Sequence, residues 1–265
     1  MKTKFLGIFL QPSTVDSEIT KLKRRLENQP RKVPGNINFT GWDIDYVDNF
    51  ALISSLEILV QKGWNDFLTE NESPLILDCG ANIGISVLNY RRKYPSAKII
   101  AFEPDPTILP VLKRNLKNNQ ASDVSIVEAA VWINSGEMAF YLEGADGSKL
   151  VTSSSDETIK VKTVDLREYV NTPVDLLKMD IEGAELDVIP HIKEKLELVK
   201  NLIVECHING DLMGRFGALL QTLSGAGFKV SINSMGVWRD LVRNPIKLPN
   251  EFDQYFLVTA WRGVL

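Results

Sequence analysis

The chain has 265 residues, with 30 Lys and Arg against 34 Asp and Glu for a formal net charge of −4, and with 44% apolar against 24% charged residues. That is the composition of an ordinary folded protein able to bury a sizeable core unaided, and it excludes disordered, collagen-like and coiled-coil chains. A sequence pI near 5.4 speaks against a partner held by phosphate neutralisation, so no nucleic acid is expected.

The first segment, Met1–Gln11, carries Lys2 and Lys4, but its apolar stretch Phe5–Leu10 is too short for a signal-peptide core. No run approaches the length of a membrane span. A soluble cytoplasmic protein without a membrane span is the expectation, and a homo-oligomer is compatible with it. Residues 1–40 read as a polar, helical arm punctuated by Pro12, Pro30, Pro34 and Gly35, with one helix over Ser17–Asn28. Its basic cluster, Lys21, Lys23, Arg24 and Arg25, followed by Arg31 and Lys32, reads as a solvated face. Residues 41–265 read as a single domain opening on a helical cap, since Asn49–Gln61 has the apolar spacing of an amphipathic helix.

From Pro74 short β-branched runs alternate with helical stretches, the rhythm of a parallel sheet with crossover helices. Strands are expected at Leu75–Cys79, Lys98–Glu103, Val124–Val131, Leu176–Asp180, Leu202–Cys206, Phe228–Ile232 and Tyr255–Trp261. Helices are expected near Ile85–Tyr94, Pro106–Asn118, Ala184–Leu198 and Leu212–Ala226. The rhythm breaks once. Glu137–Leu142 and Ile159–Thr163 look like extra strands around a Gly- and Ser-rich loop, Gly144–Ser155. The fold class is therefore α/β: a Rossmann-like, doubly wound sheet with helices on both faces. Cys79 and Cys206 lie in apolar strands and read as free core thiols.

Ligands of such sheets bind beyond the carboxyl ends of the strands, where this chain concentrates acids. After the first strand come Asp78, Gly80, Asn82 and Gly84, a tight turn into a helix N-terminus. The G-x-G-x-x-G fingerprint is absent, because Asn82 and Ile85 occupy its later positions. An amino-acid moiety suits this loop better than a diphosphate: Asp78 can accept from an ammonium, and the helix N-terminus suits a carboxylate. Glu103, about 20 residues on, ends the second strand where an acid takes both hydroxyls of a ribose. An amino acid and a ribose without a diphosphate describe S-adenosylmethionine.

The segments DCGANIGISVL, IIAFEPDPTILPVLKRNL, EAAVW, LLKMDIEGAEL and LIVECHI, in this order, resemble the FkbM family of S-adenosylmethionine-dependent methyltransferases over residues 42–230. The resemblance implies a class I methyltransferase fold, a seven-stranded mostly parallel sheet with its last strand antiparallel, and O-methylation of a hydroxyl on a small molecule, sugar or other natural product. It implies that Asp78, Gly80, Asn82 and Gly84 hold the methionine end of the cofactor and Glu103 the ribose. Pro104 and Asp105 would shape the adenine side, Glu128 and Ala129 would lie near the adenine ring, and Asp180 would face both cofactor and transfer site. S-adenosylhomocysteine would be the product.

A hydroxyl acceptor must lose a proton. His207, beside Glu205, is the histidine placed for a general base, with Asp180 or Glu182 as alternative bases or as groups that orient the acceptor. A divalent metal held by these groups is possible but not favoured, for they lack a fixed ligand spacing. Trp42, Tyr46, Phe50, Trp238 and Arg239 are candidates for an acceptor wall, whereas His191 reads as structural. Two other readings share the sheet: a nucleotide-dependent oxidoreductase, and a catalytically silent scaffold. The missing third glycine speaks against the first. Acids crowded into a cleft speak against the second.

Overall fold

The computed structural model describes residues 11–26, 28–145, 147–151, 158–208, 210–237 and 254–263. The first described element is helix α1, Pro12–Leu26, which buries Val15, Ile19, Leu22 and Leu26 at helical spacing. The helix starts at Pro12 itself, because proline has no N–H to leave unpaired in a first turn. Strands β1, Gly35–Phe39, and β2, Trp42–Tyr46, form an antiparallel hairpin. Its tight turn uses positive φ at Thr40 and Gly41 (49° and 89°). The boundary expected after residue 40 thus falls inside this hairpin, and α1 shares one core with the hairpin and the residues beyond it.

Helix α2, Asn49–Ser55, is capped by Asp48, whose side chain accepts from the Ala51 N–H. It passes directly into one π-helical segment, Leu56–Gln61. The main fold follows as β3 (Leu75–Cys79), α3 (Ile85–Lys93), β4 (Lys98–Phe102), α4 (Leu109–Asn118) and β5 (Ser125–Val127). An inserted sheet comes next, with β6 (Ala130–Trp132), β7 (Gly136–Tyr141), β8 (Lys149–Val151) and β9 (Thr158–Asp165). The chain returns through β10 (Val174–Met179), α5 (Glu185–His191), β11 (Val199–Ile208), α6 (Met213–Gly225), β12 (Lys229–Val237) and β13 (Gln254–Trp261).

The central sheet has seven strands in the order β12-β13-β11-β10-β3-β4-β5, all parallel except β13. Its strands divide their side chains between two cores. Ile76, Leu176, Ile203 and Leu257 pack with α1, the hairpin, α2, α3 and α4 on one face. Leu77, Leu177, Leu202 and Val258 pack with α5 and α6 on the other. This is the period-2 alternation of a sheet buried on both sides, and it explains why the strands read as continuous apolar runs.

Three expectations are corrected. The run Val124–Val131 is not one strand: β5 pairs with β4 in the main sheet, while β6 pairs with β9 in the inserted one, so the chain changes sheets at Glu128 and Ala129. The helix expected over Ala184–Leu198 ends at His191, directly after Pro190, and continues as a 3-10 segment, Lys193–Leu198. Strand β11 runs to Ile208, so His207, expected just beyond the strand, lies within it together with Glu205. Among the described residues no helix is long and apolar enough to cross a membrane.

Candidate active site

The parallel register sets Met179 beside Cys79 on one side and Val204 on the other, so Gly80 and Asp180, just past the ends of β3 and β10, stand level with Glu205 inside β11. A cleft opens there. Its lining includes Gly80, Asn82, Glu103, Pro104, Asp105, Ala129, Lys178, Asp180, Glu182 and Glu205.

Gly80 has φ +81°, and a Cβ built on it would lie 1.8 Å from the Asp180 carbonyl oxygen. Only glycine fits where the loop crosses the end of β10. Asn82 takes φ +49°; its Oδ1 accepts from the Ile83 N–H at 2.6 Å and its Nδ2 donates to the Ala145 carbonyl at 3.1 Å. The inserted lobe is thereby tied to the glycine loop. Glu103 is buried, and each of its oxygens accepts one backbone N–H at 2.8 Å, from Asn82 and from Asp105. Each oxygen keeps lone-pair capacity for a ligand hydroxyl. Burial pushes its carboxyl up to about 7 despite those two bonds. Asp105 accepts from Thr107 through Oδ1 and from the Ser148 hydroxyl through Oδ2 at 3.1 Å, a second tie to the inserted lobe.

The other end of the cleft is acidic. Glu182, at φ +57°, and Glu205 line it with Asp180. Burial, reinforced by the Asp180 charge, raises both glutamates above the usual carboxylate range. Glu185 is fully buried and accepts from the Ile181 N–H at 2.7 Å and the Gly183 N–H at 2.9 Å, which shapes the turn that presents Asp180 and Glu182. Lys178, also buried, reaches the Gly80 carbonyl at 2.6 Å and Asp78 Oδ1 at 3.2 Å. Burial works to lower this ammonium, but Asp78 and Asp180 outweigh it and hold it above the ordinary lysine value.

Several expected site residues sit elsewhere. Asp78 is fully buried behind the loop, bonded to the Ser86 hydroxyl at 2.5 Å and paired with Lys178, so it does not reach a guest's ammonium. Gly84 does not line the cleft either: it starts α3 at φ +94°, where a Cβ would press on Leu112. Glu128 points out of the cleft and pairs with Lys113 at the surface. His207 is buried within β11, its Nε2 3.4 Å from Glu182 Oε2 and 3.9 Å from Glu205 Oε1, and it is not part of the lining. Burial would lower it, yet Glu182 and then Glu185 raise it well above its ordinary value. Enclosed behind the two glutamates, His207 does not face the cleft as a free base would. Trp42 and Tyr46 are core residues, with the Arg92 guanidinium 3.5 Å from the Trp42 ring centroid. Phe50 is exposed under Arg31. His191 contacts Asp165 at 3.3 Å, away from the cleft. Trp238, Arg239 and residues 146 and 152–155 of the Gly- and Ser-rich loop lie outside the described residues.

The cleft is also lined by Ser54, Ser55, Ile58 and Leu59, from the end of α2 and the π-helical segment, with the buried Asn65 beside them. These residues carry no motif. Lys178 did leave a signal, since a charge inside the apolar strand LLKM must be paired when buried. One ligand atom each from Asp180, Glu185 and His207 lies within 4.8 Å of the others, a spacing one cation can span, although hydrogen bonds and ion pairs already engage Glu185 and His207.

Comparison with known proteins agrees with this arrangement of sheet and cleft. The family model described as "Methyltransferase FkbM domain" matches residues 78–230. The chain is 33% identical over 187 residues to methyltransferase sdnD of Sordaria araneosa, covering 56% of this chain and 72% of that one. It is 30% identical over 206 residues to methyltransferase 1 of Beauveria bassiana, covering 66% and 80%. A crystal structure of methyltransferase FkbM from Methylobacillus flagellatus shares the fold, with a TM-score of 0.50 and 16% identity over 79% of this chain and 53% of that one. With more than half of its length matched, and with the matched span running from the glycine loop through every strand that borders the cleft, the chain belongs to the FkbM family of methyltransferases.

Proposed function

We propose that the enzyme transfers a methyl group from S-adenosylmethionine to a hydroxyl of a sugar or other small natural product, in the cytoplasm. The observation that carries this reading is Glu103: a buried carboxylate at the end of β4, fixed by two backbone N–H groups, one of them from the glycine loop itself. Such an acid suits a ribose diol. The cofactor fits the lining in charge as well. Five acids, Glu103, Asp105, Asp180, Glu182 and Glu205, border the cleft against the single cation Lys178 among the described lining residues, a balance that suits a sulfonium better than a diphosphate even with the three glutamates partly protonated. The same argument disfavours a dinucleotide oxidoreductase. Relatives support the acceptor class: 2-O-methyltransferase NoeI of Sinorhizobium fredii is 27% identical over 160 residues, and hexuronic acid methyltransferase AglP of Haloferax volcanii 30% over 144. Buried free thiols at Cys79 and Cys206 suit a reducing compartment.

Gly80 and Asn82 would hold the amino-acid end of the cofactor, Glu103 the ribose, and Pro104, Asp105 and Ala129 the base. Bound S-adenosylmethionine supplies a methyl group on positively charged sulfur, open to in-line displacement. The chain's own task is alignment and proton removal. Ser54, Ser55 and Asn65 offer hydrogen bonds to an acceptor between the π-helical segment and the acids. Glu182 is our candidate base: its carboxylate lines the cleft, its raised proton affinity suits a base working near neutrality, and the His207 charge behind it offsets the neighbouring acids. Asp180 orients the acceptor hydroxyl.

Calorimetric titration with S-adenosylhomocysteine and, in parallel, with NADH tests this reading. The expected result is micromolar binding of the first alone, weakened roughly tenfold to a hundredfold by Glu103→Ala, as for loss of hydrogen bonds to a charged group. A folded protein that binds NADH and not S-adenosylhomocysteine refutes the proposal.

A further inference from the structure

Lys178 has no part in the mechanism above, yet its position is costly. It lies in the centre of the sheet, 4% exposed, in a strand whose other residues are all buried and, apart from Asp175, apolar. Burying an ion pair is often no better for stability than an apolar pair of the same size, so stability alone does not account for a lysine here. Its contacts point to the cleft instead. Nζ donates to the Gly80 carbonyl at 2.6 Å and faces Asp78 Oδ1 at 3.2 Å. The remaining neighbours are distant: the Cys79 carbonyl at 3.5 Å and Asp180 Oδ2 at 3.7 Å. An ammonium has three protons, and the third is under-used by these partners. Lys178 is also the single Lys, Arg or His among the described residues that line the cleft.

We propose that Lys178 is a positioning residue for the amino-acid end of the cofactor. Its ammonium fixes the Gly80 carbonyl and supplies the positive charge that lets an otherwise acidic cleft accept the cofactor's carboxylate. The inference rests on the cofactor reading given above. It also explains why Asp78 is buried behind the loop: Asp78 holds the lysine rather than the ligand.

The test compares two ligands by calorimetry. S-adenosylhomocysteine carries the amino-acid end, and 5′-methylthioadenosine lacks it while keeping ribose and adenine. Lys178→Met is expected to weaken the first by about tenfold or more, the loss typical of a charge-assisted contact, and to leave the second within about threefold. Equal weakening of both ligands means a merely structural role and overturns the inference; so does unchanged binding of both. Circular dichroism and a melting curve establish folding. If Lys178→Met fails to fold, the same comparison is made between Asp78→Asn and the double variant Lys178→Met/Asp78→Asn, which buries no unpaired charge. A double variant that loses no selective affinity for S-adenosylhomocysteine relative to Asp78→Asn overturns the inference. Failure of the unaltered protein to bind either ligand refutes the cofactor reading itself, whereas binding with a flat response to Lys178→Met refutes only the role of the lysine.

Discussion

At position 80 a single methyl group decides the loop. A Cβ there would lie 1.8 Å from the Asp180 carbonyl oxygen, and the backbone already sits at φ +81°. Gly80→Ala must therefore push the glycine loop off the end of β10, which separates the Gly80 carbonyl from Lys178 and the Asn82 N–H from Glu103. We expect the variant to lose at least about 1–3 kcal/mol of stability, the range for a strained backbone position, and to lose S-adenosylhomocysteine binding with it. Calorimetry and a denaturant melt check both; wild-type affinity in this variant would mean that the loop does not hold the cofactor. The sequence displayed this glycine through the company it keeps: D-x-G-x-N-x-G alone also suits a purely structural turn, and Glu103 and the later motifs make it specific. It did not display direction. Asp78, Glu128 and His207 were expected in the cleft by type and spacing, but one is turned behind the loop, one out to Lys113, and one is enclosed in β11. Spacing along a strand fixes which residues share a face, not how far the sheet extends or what lies above it.

At the scale of elements, the two ends of the central strands serve different purposes. At the start of β10, Asp175 is buried and accepts from Thr69 at 3.0 Å, Asn71 at 2.8 Å, the Leu75 N–H at 3.1 Å and Lys200 at 2.8 Å. It joins β10 to the chain entering β3, far from the cleft end of the same strand. Asp175→Ala strands these donors, so urea unfolding should show a loss of about 2–4 kcal/mol. S-adenosylhomocysteine affinity should stay within about twofold; a large loss of affinity with unchanged stability would reverse this assignment. The strands themselves were legible, because burial on both faces makes each one an apolar run. The hairpin of β1 and β2 was not recognised, although Ile37, Phe39, Trp42, Ile44 and Tyr46 alternate around a Thr-Gly turn. The boundary placed after residue 40, where the polar arm gives way to apolar residues, cut between the hairpin's two strands. Nor was the switch between sheets at Glu128 and Ala129 visible, since β5 and β6 together have the composition of one strand.

For the whole molecule, the balance of buried acids sets a pH dependence. Burial pushes Glu103 up to about 7 and raises Glu182 and Glu205, so folding takes up protons on these groups above the ordinary carboxylate range. The raised His207 works the same way, its stabilising charge present below its ordinary value and lost as pH rises through the folded one. Asp165 acts oppositely: the Arg167 guanidinium bonded to it holds it at about 2, so its contribution is present above the ordinary value and lost in acid. Stability should thus decline from about pH 5 to pH 8 and again below about pH 4. Melting temperatures in chelator-containing buffers across this range decide the matter, and a melting temperature that climbs from pH 5 to pH 8 would contradict it.

The order of strands has a consequence in time. Strand β13 lies between β11 and β12, and among the described residues β12 has no neighbour in the sheet except β13. While the ribosome is still making residues 254–261, β12 therefore has no described strand to pair with, and the edge of β11 that carries Glu205 and His207 lacks its partner. The edge of β11 at the acidic end of the cleft is completed only when β13 inserts between two strands made before it, so a growing chain completes this edge after the parallel strands of the sheet.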